Sequence, residues 1–197
     1  MTNNKPYNEQ ALLVQMANGV TASFDNLYYR YYEAVRANIF KIVRDEEMTD
    51  EILQEVFISL WDKREKFADY SKISGWLFVA SYNRSINYLR RRATERLRNS
   101  PFNPGEDYAD DPGQAALQEE QYRLLEEAID QLPPQRRKVF ELCRFGGKTY
   151  EQAAQELSIS KNTVKEHLAL AGESIRTYIR LHAGESLHLV CFVLFFL

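Results

Sequence analysis

The sequence predicts an all-α protein, with two small helical domains joined by a flexible acidic linker and a helix-turn-helix in the second. Three observations predict it. Apolar residues recur at helical spacing through residues 8–98 and 117–183. Of the 6 prolines, three (Pro101, Pro104 and Pro112) fall in the stretch between these blocks. No alternating apolar–polar run is long enough to require a sheet.

The bulk figures narrow the class. Hydrophobic residues make up 45% and charged residues 27%, which suits an ordinary soluble chain. The formal net charge of -3 gives no global attraction to nucleic acid, so any DNA binding needs a local basic stripe. Cys143 and Cys191 are far apart with no C-x-x-C, so a disulfide scaffold is not expected and a reducing, cytoplasmic setting is. The start, "MTNNKPYNEQALLVQMANG", has no basic stretch followed by a long apolar run, so no secretory signal is expected.

The first element to carry information is "TDEILQEVFISLWDKREKF", read as a helix from Thr49 to Phe67. At 100° per residue, Ile52, Leu53, Val56, Phe57 and Leu60 share an inward face. Glu51, Gln54, Glu55, Ile58, Trp61 and Asp62 lie opposite. Acids on a solvated face are ordinary, but a Trp and an Ile among them mark either a neighbouring helix or a protein partner with a basic, partly apolar surface.

The next helix, "GWLFVASYNRSINYLRRR", runs from Gly75 to Arg92. Phe78, Val79, Tyr82, Ile86 and Leu89 form its expected buried stripe. Its far side holds Trp76, Ala80, Asn83, Arg84, Asn87, Tyr88 and Arg91. Arg84, Asn87 and Arg91 stack one above another along it. Arginines neutralise phosphates, Asn and Arg read base edges, and aromatic rings stack on unpaired bases. The plain alternative is a solvated basic face that suits a helix C-terminus.

The segment 99–116, "NSPFNPGEDYADDPGQAA", holds Glu106, Asp107, Asp110 and Asp111 and reads as a linker unable to form a core. Beyond it, "KTYEQAAQELSISKNTVKEHLALAGESI" reads as helix, break and helix. Thr149 and Gln152 form a capping-box pattern, "SIS" breaks the helix, and Ser160 caps the next. Val164, Leu168, Ala171, Ile175 and Ile179 form one apolar face, with Asn162, Lys165, Glu166, Ala169, Glu173 and Arg176 opposite. Lys161, Asn162 and Thr163 sit in the first turn, where helix N–H groups attract phosphate. This is the pattern of a helix-turn-helix with its reading edge at the second helix's N-terminus, although helical hairpins in plain cores share it.

The chain from about Phe24 to Ile179 resembles the extracytoplasmic-function (group 4) sigma factors of bacterial RNA polymerase, in the sigma-70 family. Three stretches carry the resemblance, in order: "DEILQEVFISLW", "SGWLFVASYNRSINYLRRR" and "LPPQRRKVFELCRFGGKTYEQAAQELSISKNTVKEHLALA". The resemblance implies a region 2-like domain over 8–98 that binds core polymerase and reads the -10 promoter element. It implies a linker over 99–116, and a region 4-like domain over 117–183 that reads the -35 element. It implies core-polymerase contacts at Glu51, Gln54, Glu55, Ile58 and Trp61. For the -10 element it implies Lys72 and Ser74 in the loop "DYSKISG", with Trp76, Asn83, Arg84, Asn87 and Arg91 on the following helix. For the -35 element it implies Ser160, Lys161, Asn162, Thr163, Lys165, Glu166 and His167.

The family often has a basic residue at the position where Glu166 or His167 stands, and this chain departs from it there. A carboxylate in a groove accepts from a cytosine amine or repels phosphate. The resemblance also implies an anti-sigma factor as partner, in the family often anchored in the inner membrane. The linker acids would mimic the charge of RNA along the exit path.

A helix-turn-helix regulator acting without the polymerase explains the second domain equally well, but not the acid-and-Trp face of the first. An enzyme is not expected: no phosphate loop, H-E-x-x-H or nucleophile elbow is present. His167, His182, His188, Cys143 and Cys191 are irregularly spaced, so no metal, cofactor or small-molecule substrate is expected. The tail 184–197 ends in an unbroken apolar run from Leu189 to Leu197. It is too short to span a bilayer, which takes roughly 20 apolar residues, and reads as a packing or docking segment.

Overall fold

The computed structural model describes residues 8–98 and 112–182. Residues 99–111 of the expected linker and the tail 184–197, including Cys191 and His188, lie outside the described residues. The described chain is helical throughout: α1 (Glu9–Ala17), α2 (Thr21–Val43), α3 (Glu46–Asp62), α4 (Ser74–Arg98), α5 (Pro112–Asp130), α6 (Pro134–Phe140), α7 (Tyr150–Leu157) and α8 (Lys161–His182). A 3-10 turn (Arg64–Phe67) follows α3, and a π-helical turn (Glu141–Phe145) extends α6.

Local signals explain most of these boundaries. Asp45 caps α3, its Oδ1 accepting from the Met48 amide at 3.2 Å, and Glu46 and Glu47 follow in the first turn, where carboxylates suit the helix dipole. The helix expected from Thr49 to Phe67 therefore starts earlier and ends at Asp62. Helix α5 begins at Pro112, inside the segment expected to be linker. A proline fits the first helical position because its fixed φ matches and its missing N–H would be unpaired there. The Thr149–Gln152 capping box is formed in both directions, at 3.2 Å and 2.9 Å. Ser158, with φ 54°, turns the chain out of α7, and the Ser160 hydroxyl accepts from the Thr163 amide at 3.0 Å to start α8.

Two cores form. The first lobe gathers Leu27, Val35 and Ile39 of α2, Ile52, Val56 and Leu60 of α3, Phe67, Ile73, and Trp76, Leu77 and Ala80 of α4. The second lobe gathers Leu125 and Ile129 of α5, Val139, Phe140 and Phe145, and the stripe Val164, Leu168, Ala171, Ile175 and Ile179 of α8. Phe78, Val79 and Tyr82 of α4 belong to this second core. The expected buried stripe is thus the face that meets the second lobe, with Phe78 edge-on to Phe145 at 5.6 Å. Helix α4 serves both cores, and each large apolar side chain it buries contributes about 1.5–3 kcal/mol. Buried Ser81 and Ser85 satisfy their hydroxyls on the Phe78 and Ser81 carbonyls, at 2.9 Å and 2.7 Å.

The lobes also meet where Gly147, with φ +62°, brings its backbone against Ala34 of α2. A Cβ there would stand a tight 3.3 Å from the Ala34 Cβ, and the left-handed backbone favours glycine at this approach.

Candidate nucleic-acid interface

Three faces assemble from these elements. On α3, Glu51, Gln54, Glu55 and Ile58 are exposed, with Ile58 at 59%. Trp61 is half-buried: Phe24 of α2 packs edge-on at 5.4 Å, and the Arg64 guanidinium lies 4.8 Å from the ring centroid. A neighbouring helix and a nearby cation thus hold the ring in place without covering it. Arg36 ties α2 to α3 through Asp50, at 2.7 Å, and Glu46, and these two carboxylates raise its pKa further.

The face on α4 adjoins the first. Arg84, Asn83 and Asn87 are half-buried and Arg91 is exposed. Arg84 Nε lies 3.4 Å from Glu55 Oε2, so one ion pair links the acidic face of α3 to the basic face of α4. Asn83 donates to Gln121 Oε1 of α5 at 2.7 Å, and Lys72 donates to Glu141 Oε1 at 2.9 Å. Two residues expected to reach DNA are therefore engaged by the second lobe.

Two expectations are corrected here. Trp76 is 2% exposed, packed on Phe67 at 4.9 Å, and Ser74 is 6% exposed. Neither lies on an open face. The first turns of α4 are enclosed by α2 and α3 on one side and by α5 on the other, so every side chain from Ile73 to Tyr82 is buried.

The α8 edge is open by contrast. Ser160, Lys161, Asn162, Lys165 and Glu166 are exposed and Thr163 is half-buried. Lys161 pairs with Glu151 of α7, and that hydrogen bond pulls the Glu151 carboxyl below its usual range. His167 is half-buried on the flank, and its Nδ1 finds no hydrogen-bond partner among the described residues.

Residues 27–95 match the family Sigma-70 region 2, and residues 122–172 match Sigma-70, region 4. The chain belongs to the sigma-70 family, in its extracytoplasmic-function group. The sigma factor is 26% identical over 172 residues to the ECF RNA polymerase sigma factor SigK of Mycobacterium ulcerans, covering 84% of this chain and 90% of that protein. It is 26% identical over 171 residues to the ECF RNA polymerase sigma factor SigE of Mycolicibacterium smegmatis, covering 83% and 64%. Among solved structures it is similar to CnrH in complex with the cytosolic domain of CnrY, at 18% identity and a TM-score of 0.43, covering 89% of this chain and 99% of that one. It is also similar to RpoE in complex with the anti-sigma factor NepR from Bartonella quintana, at 21% identity and a TM-score of 0.38, covering 81% and 98%.

Glu9 escaped the sequence reading of this sigma factor. Its carboxylate is buried, accepts from the Tyr31 hydroxyl at 2.9 Å and 2.7 Å, and accepts from the Ile73 amide at 2.8 Å. It thereby fastens the loop that carries Lys72 and Ser74. No sequence signal points to it, because its partners lie 22 and 64 residues away. No helix among the described residues is long and apolar enough to cross a membrane.

Proposed function

We propose that this sigma factor docks on core RNA polymerase through Glu51, Gln54, Glu55, Ile58 and Trp61. On this reading Lys72, Asn83, Arg84, Asn87 and Arg91 contact the -10 element. Ser160, Lys161, Asn162, Thr163, Lys165, Glu166 and His167 contact the -35 element, with α7 and α8 acting as a helix-turn-helix. Ser74 and Trp76 then support the -10 loop and helix from within the core.

The observation that carries this is the exposed Ile58 beside half-covered Trp61 on an acidic helix, joined by the Glu55–Arg84 pair to a basic helix. An apolar anchor rimmed by carboxylates fits a basic, partly apolar protein surface. Arginines and amides beside it fit phosphates and base edges.

Mechanistically, the polymerase performs nucleotide transfer and this subunit chooses where. The chain's net charge of -3 gives it weak affinity for DNA alone. Mounting both lobes on the polymerase raises the effective concentration of each reader beside its promoter element. A cytoplasmic anti-sigma factor, or the cytoplasmic part of a membrane-anchored one, would compete for the same faces.

The test is run-off transcription with core polymerase and a pool of genomic promoter fragments. Promoter-specific transcripts that require the sigma factor are expected, with little footprint from the free chain at physiological salt. Tight, specific footprinting by the free chain, without stimulation of core polymerase, would overturn the reading.

A further inference from the structure

Glu9 poses a physical problem that its position in the fold answers. Burying a carboxylate is costly unless its oxygens are hydrogen-bonded. Here the oxygens take the Tyr31 hydroxyl of α2 and the backbone amide of Ile73. Ile73 is itself fully buried, so its N–H has no access to water, and the carboxylate answers that orphaned donor. One side chain from α1 thus joins α2 to the last loop residue before α4. The same helix packs against the 3-10 turn at Arg64–Phe67, where that loop begins.

The residues next to this anchor carry the proposed chemistry. Lys72 is exposed and directly precedes Ile73, while Ser74 opens α4. Moving the Ile73 amide moves both. Geometry at a reading site matters steeply, since a misplacement of about 1 Å is enough to lose most of a directed contact.

We propose that Glu9 is a positioning residue for promoter discrimination: it touches no DNA, but its buried carboxylate sets the loop at 69–73 and with it base preference in the -10 element. The proposal rests on the reading of this loop as a -10 contact.

The experiment uses the full chain with core polymerase on promoters bearing all four bases at each -10 position and, separately, each -35 position. Wild type, Glu9→Gln, Glu9→Leu and Tyr31→Phe are compared by initiation rate. Glu9→Gln keeps a carbonyl for the Ile73 amide and should retain the wild-type pattern. Glu9→Leu should reduce the best-to-worst base ratio in the -10 element by about tenfold while leaving -35 discrimination intact. Tyr31→Phe, which creates no cavity and keeps the Ile73 bond, should reduce the -10 ratio by about twofold.

An equal fall on every promoter, with all base ratios unchanged, would make Glu9 merely structural and overturn the proposal. Should Glu9→Leu fail to fold, the -10 ratio of Tyr31→Phe decides alone, and an unchanged ratio counts against. A wild-type chain that directs no initiation from any promoter would instead sink the functional reading beneath it.

Discussion

Helices α4 and α8 each carry a candidate reading face, and they are buried in opposite ways. Helix α8 buries one stripe, Val164 to Ile179, and leaves the edge at Asn162, Lys165 and Glu166 to solvent. Helix α4 buries two stripes, Trp76, Leu77 and Ala80 in one core and Phe78, Val79 and Tyr82 in the other. Its polar residues are then partly occupied, Asn83 by Gln121 and Arg84 by Glu55. The difference separates a helix whose polar edge stands open to solvent from one whose polar residues already have partners in neighbouring helices.

The sharpest way to break that contrast is Trp76→Ala. A fully enclosed Trp should lower the stability of the fold by about 3–5 kcal/mol, read in chemical denaturation. A Trp serving only to stack on a base would leave stability unchanged and weaken DNA binding alone. Next in size, Trp61→Ala combined with Glu55→Lys should weaken core-polymerase binding by about 2 kcal/mol or more in a pull-down titration, with helicity intact. Unchanged binding would remove α3 from the interface.

The contact between lobes has its own test. Burial first, then Asp130 and Glu141, push the Glu126 carboxyl up to about 7, against the opposing pull of Lys72 and Arg137. Its oxygen sits over Gly75 at the start of α4, where an added Cβ would fall 2.3 Å away. A carboxyl raised in the folded chain favours folding when protonated. Its contribution to stability should therefore be fully present below the ordinary value of 4.5 and be lost as pH rises to about 7. The loss should be about 3 kcal/mol, read in chemical denaturation across that pH range. Glu126→Gln should flatten the profile, and an unchanged slope in that variant would assign the effect elsewhere. The smallest effect belongs to the open helix: Lys165→Ala should cost about 1 kcal/mol of promoter binding in the holoenzyme, uniformly across -35 sequences if it meets phosphate. A sequence-dependent loss would make it a base reader.

The same contrast explains what was legible in the sequence. Helix α8 shows its burial plainly because a helix with one buried side has one apolar stripe, and every member of the expected stripe is at most 3% exposed. The capping box and the turn at Ser158 are local and equally visible. Helix α4 is only half legible because a helix enclosed on two sides has two stripes: Phe78, Val79 and Tyr82 are buried as expected, but the second stripe, Trp76, Leu77 and Ala80, is not apparent from one apolar face. Trp76 was consequently placed outside. Glu9 was invisible for a different reason: its chemistry is tertiary, and nothing within α1 distinguishes it from any first-turn carboxylate.

Shared ownership of α4 has a consequence for how the chain melts. Because Phe78, Val79 and Tyr82 complete a core whose other buried members come after residue 112, the second lobe does not hold all of its own stabilising contacts. Heat should then remove both lobes in one calorimetric transition, with a van't Hoff enthalpy close to the calorimetric one. A fragment starting at Pro112 would lack those three side chains and present the uncovered apolar floor to its own copies.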